Sequence, residues 1–208
     1  MKFFSPDSKF AQVMTSLGEM MLLNLCWILA SLPLITVGAA NTAMYTVMGR
    51  RLRQEGSGTI RPFFKAWRSN LGMSTRFWAA QVFVTGSLSM IPFLPLPGGL
   101  KVLAVVLLIL VTLLFSVIYP QIARFRNRWF AYLKNAVILL VLRLGWVLAN
   151  LLVVLMPAIL FLLAPMEFLR LGFVWLLFGF SGLFYLSARI MQKILLPLES
   201  LSETYRSL

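Results

Sequence analysis

The chain has 208 residues, 60% of them hydrophobic and only 12% charged, with a mean hydropathy of +0.88, and a water-soluble fold could not hide that much apolar surface. Its net charge of +13 comes in short runs between apolar stretches rather than as one basic face with a recognition module, which excludes a nucleic-acid role. There is no histidine, so the side chain best suited to proton transfer near neutral pH, and the commonest metal ligand, is missing.

Hydrocarbon about 30 Å thick takes roughly 20 apolar residues per helical crossing. Five uncharged stretches are long enough to matter: residues 20–49, 77–100, 102–123, 144–166 and 171–188. All are rich in Leu, Val, Ile and Phe without the alternation of a barrel strand, so they are read as helices. The expected fold is all-α: one integral membrane domain over residues 1–208, a transmembrane bundle of five or six helices with two interfacial amphipathic helices.

At the N-terminus, Lys2 and the small residues at 39–43 loosely imitate a cleaved signal, but the apolar stretch is too long and begins too late, so a retained helix is expected. Thirty residues are too many for one straight crossing and too few for two. Pro33, Thr36 and Gly38 mark a candidate break. A helix over about 10–31, with Asp7 or Ser8 as N-cap, would end before Pro33, because the residue preceding proline avoids the α region. A shorter helix would then run from Gly38 to Arg53; the alternative is one kinked helix. The glycines of EGSG, residues 55–58, allow the next turn.

Residues 60–76 read as an amphipathic helix, with Ile60, Phe63, Phe64, Trp67 and Leu71 on one face and Arg61, Lys65, Arg68 and Arg76 on the other. The next span ends at an outer turn over residues 92–99. After the third span a second stripe follows, Ile122, Phe125, Trp129 and Leu133, with Arg124 and Arg128 off that face. A shift of 65 residues aligns Asn70 with Asn135 and Pro92 with Pro157, which suggests weak parallel repeats over 59–123 and 124–188. Basic residues crowd alternate loops, so those loops and the C-terminus are expected in the cytoplasm of a cell membrane.

Groups able to do chemistry are few. The six acids, Asp7, Glu19, Glu55, Glu167, Glu199 and Glu203, fall at span ends, in loops or in the tails, so no enzyme activity, metal or cofactor is expected. Cys26 is read as packing and Arg143 as reaching the interface. Asn24, Gln81 and Asn150 are deeper, and serve either interhelical hydrogen bonds or a solute path. Gly172, Gly179 and Gly182 suggest close helix packing. Phe63, Trp67, Arg68, Arg124, Arg128 and Trp129 form a candidate cytoplasmic interface, for lipid anchoring or for docking a partner.

At PLITVGAANTAMY (residues 33–45), FFKAWRSN (63–70) and QIARFRNRWFAYLKNA (121–136), the chain resembles the YesL family, small integral membrane proteins of Gram-positive bacteria that carry a domain-of-unknown-function label. Ala39 stands where relatives often have proline. The resemblance implies a non-catalytic accessory or scaffold role beside permease subunits of ATP-driven (ABC-type) carbohydrate uptake. The residues alone leave open a stand-alone solute channel or a membrane-bound regulator.

Overall fold

The computed structural model describes residues 9–56 and 58–206, which are helical almost throughout, without a strand. The proposed N-caps Asp7 and Ser8 lie outside the described residues. Helix α1 (Lys9–Ser31) stops before Leu32-Pro33, as the proline requires, and Pro33 is extended. A 3-10 turn (Leu34–Thr36) leads into α2 (Val37–Leu52), so the first apolar stretch is two helices and not one kinked helix. Inside or near hydrocarbon, the orphaned carbonyls of such a turn need partners. Thr36 supplies them: its single hydroxyl proton is shared between the carbonyls of Ala30 at 2.7 Å and Pro33 at 2.8 Å, and its backbone N–H donates to Pro33 at 2.8 Å.

The two helices form an antiparallel hairpin. Arg51 near the end of α2 pairs with Glu19 at 3.1 Å and donates to Ser16 in the first half of α1, so both ends of the hairpin lie at the same side of the molecule. Across it, Trp27 Nε1 donates to Asn41 at 2.9 Å.

Although only 16 residues long, α2 packs against α1, α3, α4 and α9. Its small residues allow this. Gly38 is not the helix break but a close-approach site in the first turn of α2: a Cβ there would lie 2.5 Å from the carbonyl oxygen of Ser74 and 2.7 Å from Trp78 Cβ. Ala39, Ala40, Thr42 and Ala43 are fully buried beside it, and Thr42 and Ser74 hydroxyls hydrogen-bond at 2.8 Å.

Helix α3 (Ile60–Met90) is continuous over 31 residues, so the amphipathic segment and the following span are one helix. Nothing between Asn70 and Phe77 breaks it; even Gly72 stays helical. Phe63 is fully buried in the bundle with Ala66, Ser74 and Phe77, rather than dipping into lipid. Of the expected apolar face only Phe63 is buried; Trp67 and Leu71 are half-buried, and Ile60 and Phe64 are exposed, because the face that α3 packs inward runs through Ala66, Ser74 and Phe77 instead.

After a 3-10 segment (Ile91–Phe93) and the expected turn, α4 (Gly98–Arg124) returns to the basic side. The second amphipathic segment is not one helix: α4 stops at Arg124, residues 125–128 form a loop, and α5 (Trp129–Leu142) begins. Phe125 and Arg128 are extended and interrupt the helical spacing. Arg143 separates α5 from α6 (Leu144–Leu163), and its repeat counterpart Trp78 sits inside unbroken α3.

Helix α7 (Pro165–Arg170) and α8 (Gly172–Val174) precede a π turn (Trp175–Gly179) and α9 (Phe180–Arg206). Among the described residues, four segments are long and apolar enough to cross a membrane: Phe10–Ser31, Gly98–Arg124, Leu144–Leu163 and Gly172–Leu196. Exposed apolar side chains cover their outer faces, such as Val102, Leu152 and Leu162, as a bundle solvated by lipid requires.

A candidate anion cavity on the basic face

The ends of α2 and α4 and the starts of α3 and α5 meet at one side; Lys193, midway along α9, has its Nζ 4.3 Å from the ring centre of Trp146 in the first turn of α6. The cations of residues 50–68 and 124–128 therefore share one face. Arg50 and Arg51 in the last turn of α2 complement the negative end of its dipole.

Within that face, the end of α2, the first turns of α3 and the α4–α5 loop enclose a cavity of about 550 Å³. Arg50, Lys65, Arg124 and Arg126 line it with Thr46, Ser69, Asn70, Asn127 and Tyr132, and no carboxylate lines it. The loop is held from below. Tyr132, buried in α5, donates its hydroxyl to the Phe125 carbonyl at 2.8 Å and accepts from the Asn127 N–H at 3.0 Å. Trp129 stacks on Phe77 at 3.7 Å between centroids, and Tyr132 meets the same ring edge-on at 6.0 Å. Such pairs contribute about 0.5–1.5 kcal/mol each beyond area burial, so the loop is anchored to α3 as well as to its own helices.

A neighbouring concavity shares Arg50 but has a different character, because Glu19 and Glu55 line it. Arg53 holds Glu55 in a fork, with Nε at 2.6 Å and Nη2 at 3.0 Å, and Arg124 lies 4.0 Å from it. The hydrogen bond from Arg53, with the charges of Arg53, Arg124 and Arg50, holds the Glu55 carboxyl below the usual carboxylate range against its slight burial. Gly56, at φ +74°, brings the backbone against Arg50, where an added Cβ would sit 3.0 Å from Nη2. The cavity can bind and orient an anion; its one phenol is occupied by backbone groups.

The other sequence candidates fall in separate places. Arg68 and Arg128 are exposed, whereas Arg124 lies beside Glu55 and is not free as expected. Trp67 is half-buried, edge-on to Phe64, and Trp129 belongs to the Phe77 stack rather than to a lipid anchor. Asn24 is fully buried and serves the π turn: Nδ2 donates to the carbonyls of Trp175 and Leu176, and Oδ1 accepts from the Ser181 N–H. Gln81 accepts from the Tyr119 hydroxyl at 2.6 Å, tying α3 to α4. Asn150 accepts from Ser187 at 2.5 Å, so Tyr45 must donate to Ser187, while Asn150 Nδ2 has no partner among the described residues. The three amides join different helix pairs, and none lines the anion cavity.

The roles of Lys65, Ser69, Asn70, Arg126 and Tyr132 were missed in the sequence. The two basic runs were visible there, but the bend of the loop that turns Arg126 towards α3 was not.

Residues 20–90 match a family described as Protein of unknown function, DUF624, a stretch that runs from within α1 to the last residue of α3 and includes one wall of the cavity. The match supports a domain-of-unknown-function family for this part of the chain. Neither a curated protein nor a solved structure matches the chain.

Proposed function

We propose that this chain is a non-catalytic accessory or scaffold subunit of the cell membrane, working beside permease subunits of carbohydrate uptake, with its basic face and C-terminus in the cytoplasm. The sugar-uptake element rests on the resemblance at residues 33–45, 63–70 and 121–136. One structural observation supports the docking element: cations from two distant segments share one face, and Glu19 and Glu55, the described acids there, are already paired with arginine.

Orientation has a direct test in a Cys26→Ala background. Cysteines introduced at Ser57 or Asn127 should resist an impermeant thiol reagent added outside, and one at Gly98 should react. Labelling of Ser57 from outside inverts the arrangement.

For docking, Arg68 and Arg128 are the informative pair because both are exposed and neither lines the cavity. A cation near an anionic surface is worth about 1 kcal/mol, so Arg68→Gln with Arg128→Gln should weaken association with a partner about thirtyfold. The measurement is co-purification from native membranes across a salt series. Unchanged recovery of every partner at raised salt removes the docking reading, and sugar flux through the purified chain alone in liposomes replaces it with a channel.

A further inference from the structure

We propose that the cavity between α2, α3 and the α4–α5 loop is a binding site for a phosphate ester. The positive-inside bias accounts for many cations on this face, but not for their convergence. Arg50, Lys65, Arg124 and Arg126 come from three separate chain segments and surround one concavity whose described lining holds no carboxylate; Glu55, which lines the adjoining concavity, lies 4.0 Å from Arg124 but is held chiefly by Arg53 at 2.6 Å, so the cations outnumber it. Guanidinium groups present planar forks matched to phosphate oxygens, and three of the four cations are arginines.

The loop that follows Arg124 and bears Arg126 is fixed before any ligand arrives, because Tyr132 bonds its backbone at two points. Preorganisation of this kind lowers the ordering cost of binding. The concavity, about 550 Å³ and open to the surface, has room beside a phosphate for a further small group. Ser69 and Asn70 offer hydroxyl-binding partners, and Met73 and Ile122 offer an apolar wall. A phosphate bearing glycerol, free or as a lipid headgroup, has that chemistry. This site is independent of docking, which uses Arg68 and Arg128.

Full-length protein in a zwitterionic detergent would be titrated calorimetrically with glycerol 1-phosphate, short-chain phosphatidylglycerol and, as control, short-chain phosphatidylcholine. At least one of the two anionic phosphate esters should bind, and phosphatidylcholine, a phosphate ester neutralised by its own choline, should not. Stronger binding of phosphatidylglycerol, by about tenfold, identifies a lipid headgroup; equal binding identifies a free ester; both sustain the site. Arg50→Gln with Arg126→Gln should weaken binding about tenfold or more, since each removes charge-assisted bonds, while Arg68→Gln with Arg128→Gln, equal in charge, should change it less than about twofold. Lys65→Gln alters an exposed side chain and should weaken binding severalfold even if the arginine pair proves unable to fold. Equal losses in the two arginine pairs mean a diffuse surface field and overturn the proposal, as does the absence of binding by both esters.

Discussion

Replacing Gly38 by Ala should destabilise the folded bundle by about 1–3 kcal/mol, and replacement by Leu should do so more severely. The added Cβ would meet the Ser74 carbonyl oxygen at 2.5 Å and Trp78 Cβ at 2.7 Å, which are backbone and the root of a side chain rather than a flexible tip. Helices α2 and α3 would have to separate, and the Thr42–Ser74 hydrogen bond lies at the same contact. Helix propensity works the other way by at most about 1 kcal/mol. Gly86 in α3 has nothing within 4 Å of its added Cβ, so Gly86→Ala should be neutral or slightly stabilising. Unfolding in a detergent titration, followed by tryptophan fluorescence, compares the two. Equal stability of the Gly38 and Gly86 variants would show that the α2–α3 contact is looser than described.

A second large effect is expected at Asn24. Asn24→Leu keeps a similar volume but leaves the carbonyls of Trp175 and Leu176 without this donor and the Ser181 N–H without its acceptor. The π turn has its backbone groups out of α register, so it depends on an outside partner. Three such bonds, each worth about 0.6–2 kcal/mol in a membrane bundle, put the loss at about 2–6 kcal/mol.

Asn150→Leu should cost under about 1 kcal/mol by contrast. It removes the acceptor of the Ser187 O–H, which keeps its hydrogen bond with Tyr45, and also removes an amide nitrogen that has no partner among the described residues, and these terms oppose one another. The same titration ranks the two variants. A larger loss for Asn150 than for Asn24 would contradict the bonding described.

From the sequence alone these residues look alike. Asn24, Gln81 and Asn150 are each an isolated amide within an apolar stretch, and period and hydropathy carry no information about which neighbour each will meet. Their partners lie 151–157, 38 and 37 residues away, respectively. Such pairings are set by how the helices assemble. Gly38 is similar: a glycine between threonine, valine and alanine is compatible with a break, a cap or a close crossing, and only the position of Ser74 distinguishes them.

What the sequence determined by itself is the class of solvent and the helical content. Stretches of about twenty uncharged apolar residues require internally satisfied backbone, and Pro33 stops α1 because of its own ring and missing N–H. The clustering of arginines at residues 50–68 and 124–128 was equally plain, since loop charge is written locally. Tertiary structure decided what covers each apolar face, and therefore that Phe63 and Trp129 pack on protein. It also broke the segment after Arg124 into a loop, because Tyr132 satisfies that backbone from the next helix and makes an extended conformation affordable. The cavity follows from that bend: charges far apart in sequence become neighbours only when three helix ends and one loop meet, and no local pattern encodes such a meeting.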